Sequence, residues 1–100
     1  MKKRCIKKRL LSGLGDLLEI NTGADAEVRY NLVINEEMST YGLEIEKWSV
    51  SDSGATDCEF SIFPNIAKDE GMVSALILKM SENFVTPIQL QDVLEDLNLI

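Results

Sequence analysis

The stretch that decides the fold is "VRYNLVINEEMSTYGLEIEKWSV", residues 28–50. In its first part Val28, Tyr30, Leu32 and Ile34 alternate with Arg29 and Asn31, the period of two that a half-buried strand requires. The polar run "NEEMST" (35–40) breaks the pattern. It resumes in "YGLEIEKWSV" (41–50), with Tyr41, Leu43 and Ile45 on one side and Glu44 and Glu46 on the other. Two alternating runs joined by a short polar connection predict an antiparallel hairpin with one dry face and one wet face.

Downstream, "SDSGATD" (51–57) has the composition of a loop. "EFSIFPNI" (59–66) predicts a shorter third strand, which Pro64 confines to an edge or terminates. In the segment that follows, Val73, Leu76, Ile77 and Met80 form a helical stripe, with Asp69 and Glu70 in the first turn and Lys79 in the last. The stretch "VTPIQLQDVLEDL" (85–97) predicts a second helix. Thr86 is its N-cap, Pro87 its first residue and Gln89 the reciprocal capping partner, with Val85 and Leu90 placed for a hydrophobic staple. Leu90, Val93, Leu94 and Leu97 give this helix a face to dock on the sheet. Upstream of Val28 the pattern is open. Ile6, Leu10, Leu14, Leu17 and Leu18 fit a helix that Gly13 and Gly15 weaken, while "CIKKRLLSG" (5–13) fits a first strand equally well. The prediction is an α+β domain: a three- or four-stranded, mostly antiparallel sheet with two C-terminal helices packed on one face.

One hundred residues, 45% of them hydrophobic, suffice for one ordinary core. The net charge of −7 is unevenly spread. Residues 1–9 hold six cations (Lys2, Lys3, Arg4, Lys7, Lys8 and Arg9) and no acid, whereas residues 10–100 hold four cations against 17 acids. This divides the chain into a basic arm over 1–9, expected to be solvated and mobile, and one domain over 10–100. No apolar run is long enough for a membrane span, and the basic N-terminus lacks the continuous apolar segment of a secretory signal, so the expected location is the cytoplasm.

The chain has no His and only two cysteines, Cys5 and Cys58. The commonest general base is therefore absent, as are His-paired nucleophiles and the ligand set of a structural zinc site. A free, buried thiol is expected at Cys58. The glycines of "SGLGDLL" (12–18) match no nucleotide-binding pattern. No cofactor, metal or catalytic residue is assigned. Glu44 and Glu46 share a strand face and are the nearest thing to an acid/base pair.

Three stretches resemble a known group of sequences: "YGLEIEK" (41–47), "FPNIAKDEGMVSALILKM" (63–80) and above all "VTPIQLQDVLEDL" (85–97). Together they resemble a family of short bacterial proteins of unknown function, the domain-of-unknown-function family DUF6514. The resemblance implies the fold and no activity. Where that family tends to carry a helix-capping Ser, this chain has Ala67, which implies a weaker cap.

The residues left for function are surface residues. Asp92, Glu95 and Asp96 stand at i, i+3 and i+4 on one face of the last helix, close to the end where negative charge is disfavoured. They make a solvated acidic face or a contact for a basic partner, and the chain's own basic arm is one candidate. Trp48 is either a surface anchor for a protein contact or, after a small bulge, a core residue. Lys2, Lys3, Arg4, Lys7, Lys8 and Arg9 form a candidate anion or nucleic-acid contact without aromatic residues for base stacking. The expected function is non-enzymatic: a protein-interaction or regulatory module, with a protein partner or a homodimer. The alternative is a nucleic-acid accessory protein acting through the basic arm.

Overall fold

A computed structural model describes residues 1–10, 26–50 and 54–100. Four strands and two helices follow in chain order: β1 (Lys2–Leu10), β2 (Ala26–Asn35), β3 (Thr40–Val50), β4 (Thr56–Ala67), α1 (Glu70–Glu82) and α2 (Pro87–Asp96). The strands form one sheet in the order β1-β2-β3-β4, each antiparallel to its neighbour. Both helices lie on one face. The architecture is α+β, as the alternation and the two helical stripes predict.

The hairpin sets the register of everything else. Tyr30 pairs with Ile45 and Leu32 with Leu43, and the β2–β3 ladder runs without a bulge from Ala26↔Ser49 to Asn35↔Thr40. In antiparallel pairs, directly opposed side chains share a face. Val28, Tyr30, Leu32, Leu43 and Ile45 therefore meet Val73, Ile77, Met80, Leu90 and Leu94 in one core, all but completely buried. Leu76, Val93, Ile34 and Tyr41 pack around its margin. The Tyr30 hydroxyl donates to the Val85 carbonyl at 2.9 Å, which ties the middle of the sheet to the α1–α2 connection.

The N-terminal stretch is the main correction. Residues 2–10 are not a free arm but an edge strand paired along β2, with a bulge between Cys5 and Lys7. Ile6 packs against the core. The structure thus takes the strand reading of "CIKKRLL"; the expectations for Leu14, Leu17 and Leu18 lie outside the described residues. β4 is longer than predicted. It carries Pro64 at its irregular end, where Tyr41 pairs with Ala67 but Leu43 with Phe63. Gly42 sits in this irregularity because a Cβ there would meet the Phe63 carbonyl oxygen at 2.0 Å.

Helix ends follow local chemistry. The cap of α1 is Asp69, whose carboxylate accepts from the Met72 N–H at 3.2 Å, so Ala67 ends β4 and its missing hydroxyl weakens nothing. At α2 the Thr86 N–H donates to Gln89 Oε1 at 3.1 Å, the predicted reciprocal bond, while the Gln89 N–H donates to the Thr86 backbone carbonyl at 3.0 Å. Both helices close with Schellman turns: Val85 N–H to Met80 O and Phe84 N–H to Ser81 O, then Leu99 N–H to Leu94 O and Asn98 N–H to Glu95 O. The left-handed position falls to Phe84 (φ 52°) and Asn98 (φ 59°).

Candidate functional site

The sheet face away from the helices is where unused chemistry collects. Among the described residues, no helix or strand covers it. Alternation along the ladders places Lys3, Cys5, Lys8 and Leu10 of β1 on this face, beside Glu27, Arg29, Asn31 and Val33 of β2. It adds Glu44, Glu46 and Trp48 of β3 and Cys58, Phe60 and Ile62 of β4.

A polar network occupies the middle of that face. Glu44 pairs with Asn31 in register, and Glu44 Oε1 accepts from Lys3 Nζ at 2.9 Å and from Asn31 Nδ2 at 3.1 Å. The same Asn31 amide donates to Glu46 Oε1 at 2.8 Å. The Glu44 side chain is only 5% exposed. A cation and an amide both answer this buried carboxylate, and an unanswered one there would be costly. The hydrogen bond to Glu44 also raises the Lys3 pKa. Glu44 and Glu46 thus form a structural cluster bridged by Asn31, with Glu44 Oε1 answered twice.

Toward the far end of the sheet the face becomes apolar. Arg29 pairs with Glu27, which holds the Glu27 carboxyl below its usual range, and the guanidinium carbon lies 5.2 Å from the centre of the Trp48 ring. Trp48 is half-buried without any bulge, so it belongs to this face and not to the core. Its Nε1 is buried and has no hydrogen-bond acceptor among the described residues. A buried indole N–H normally finds a partner. Around it lies a cleft of about 340 Å³ lined by Leu10, Ala26, Glu27, Arg29, Trp48, Val50 and Thr56. Leu10 and Val50 are 68% and 45% exposed, and nearby Phe60 is 62% exposed.

The other predicted positions fall elsewhere. Asp92, Glu95 and Asp96 are exposed on α2, which packs on the opposite face of the sheet from Trp48, so the two are not one site. The basic residues of β1 do not answer these acids. Lys2 pairs with Glu36, Lys3 with Glu44 and Arg4 with Glu70. Arg9 donates to the Ser81 carbonyl at 3.2 Å and lies 4.0 Å over the Phe84 ring. Four of the six cations therefore have partners within the chain, and Lys7 and Lys8 stand exposed beside them. Cys5 and Cys58 are both free and exposed, so the expected burial of Cys58 is wrong. Its position opposite Trp48 on the open edge strand explains why. Desolvation by its neighbours, with Glu46 and Glu44 next in effect, still pushes its thiol pKa up.

Arg29, Asn31, Leu10, Val50 and Phe60 were not singled out from sequence. The outward phase of "VRYN" (28–31) held Arg29 and Asn31, but the partner each would meet depended on the register of the hairpin.

A meander of four strands backed on one face by two helices, with no described helix or strand on the other face, defines the class. The chain belongs to a family of unknown function (DUF6514), whose family model matches residues 16–99. No curated protein and no solved structure matches the chain. No described helix is long and apolar enough to cross a membrane.

Proposed function

We propose that this chain is a small, non-enzymatic, cytoplasmic protein-interaction module of a bacterial cell, and that its contact surface is the Trp48 end of the sheet face away from the helices. The observation that carries this reading is the buried Nε1 of Trp48, which has no acceptor among the described residues and belongs to a side chain lining an apolar cleft. Aromatic residues with one polar atom are the usual anchors of protein contacts. The partner chemistry that fits is a side chain with an apolar body, to fill the space between Leu10 and Val50, and an acceptor for the indole N–H. Arg29 and Glu27 at the rim favour a polar, self-neutral surround. The internal pairing of four basic residues supports this reading over nucleic-acid binding through β1.

The test is capture of partners from the native cell with the wild-type protein and with Leu10→Glu and Val50→Glu, both at exposed positions. The reading predicts a specific partner that both substitutions release and that a triple Asp92→Asn, Glu95→Gln, Asp96→Asn variant retains. A partner released only by the triple variant would place the contact on α2 and overturn the reading.

A further inference from the structure

The two edges of the sheet are treated differently. β1 carries six cations and a bulge, both of which discourage another strand from adding to it. β4, "TDCEFSIFPNIA" (56–67), carries no cation; its charges are the acids Asp57 and Glu59, and its Pro64 and register shift lie at its C-terminal end, leaving Thr56 to Phe63 regular. Its first five residues are exposed, including Phe60 at 62%. No described strand pairs with the outer side of β4, and a long, regular, cation-free edge bearing an exposed aromatic residue is a template for strand addition.

We infer that the occupant of this edge is a second copy of the chain, its β4 running antiparallel to the first about a twofold axis at Phe60. The side-chain order of the strand selects this partner and this register. With Phe60 opposite Phe60, Cys58 faces Ile62, Glu59 faces Ser61 and Asp57 faces Phe63 in each half. Thr56 then faces Pro64, whose missing N–H ends the ladder where β4 loses its regularity. Centring on Glu59 would set that carboxylate against itself, and centring on Cys58 would set Asp57 against Glu59. Like charges directly opposed are destabilising, whereas aromatic pairs across strands are favourable. Centring on Ser61 carries Asp57 past the proline and shortens the ladder. The dimer joins two four-stranded sheets into one and is independent of the Trp48 cleft reading.

Light scattering of the purified chain across a concentration series tests this. The inference predicts a mass twice that of the 11.2 kDa chain, returning to monomer on Phe60→Lys, a change that folding tolerates because position 60 is exposed and pairs with Glu46. Circular dichroism of that variant verifies the fold. Leu10→Glu and Val50→Glu, which disable the cleft, leave the mass doubled. Register is tested with Ile62→Cys in a Cys5→Ser background: mild oxidation gives a covalent dimer, and adding Cys58→Ser abolishes it, because the introduced thiol stands opposite Cys58 of the other copy. A monomer at every concentration, a dimer indifferent to Phe60→Lys, or no covalent dimer through Cys58 overturns the inference.

Discussion

Two residues carry more of the structure than their size suggests. Gly42 lets β3 and β4 approach until a Cβ would lie 2.0 Å from one backbone oxygen and 2.4 Å from the Pro64 carbonyl carbon. Backbone cannot step aside as a flexible side chain can, so Gly42→Ala is expected to cost at least about 2 kcal/mol, toward the upper end for overpacking. An unchanged urea midpoint would refute the close approach. Tyr30 is buried, and its hydroxyl is the partner of the Val85 carbonyl. Tyr30→Phe leaves that acceptor unanswered, with an expected loss of about 1 to 3 kcal/mol. Burial raises the Tyr30 pKa. Because the folded value lies above the unfolded one, this contribution is fully present below pH ~10 and is lost as pH rises through the folded value. Alkaline denaturation curves should therefore be shallower for Tyr30→Phe than for the wild type above pH ~10. Equal slopes would contradict the burial of the hydroxyl.

At the scale of elements, β1 is the clearest case of tertiary context overriding composition. Six cations without an acid read as a solvated arm, yet Glu36, Glu44 and Glu70 and the Ser81 carbonyl supply the partners from other parts of the chain. Ile6 adds an apolar contact. Deleting residues 1–9 is expected to lower the melting temperature by roughly 10 °C or more, since ~1 kcal/mol corresponds to about 4–8 °C in a domain of this size. An unchanged melt would show that the strand is dispensable. The acids of α2 show the opposite case. None is paired with a cation among the described residues, and the Glu95 carboxylate accepts from the Gln91 amide at 3.3 Å. Glu95→Lys is expected to raise stability by up to ~0.5 kcal/mol by removing like-charge neighbours near the helix C-terminus, with the gain shrinking in high salt. A clear loss in the denaturation midpoint would mean that a cation answers this face.

The same contrast shows what was legible in the sequence. Local patterns fixed the hairpin, the Pro64 edge strand, the α2 start and the outward phase of Glu44 and Glu46. Partner choice across long separations was not legible: Lys3 with Glu44, Arg4 with Glu70 and Arg9 with Ser81 join residues that only the completed sheet brings together. Trp48 was half legible. Its phase pointed outward, but only the unbulged β2–β3 ladder placed Arg29 over it and Leu10 and Val50 around it.

For the whole molecule, the division of labour is by face. The helix side buries the core and the polar network stiffens the middle of the other side. The end near Trp48 holds a buried indole N–H without an acceptor among the described residues. Trp48 is the only tryptophan, so its indole gives a single nitrogen–proton resonance and one fluorescence signal. The most direct measurement is that resonance, followed while the captured partner is titrated into labelled protein. The account predicts that it shifts and that its exchange with solvent slows, in step with the amides of Leu10 and Val50 and while those of α2 stay in place. An indole resonance that does not move while the amides around Asp92 and Glu95 do would contradict the account, because binding would then occur on the helix side of the sheet.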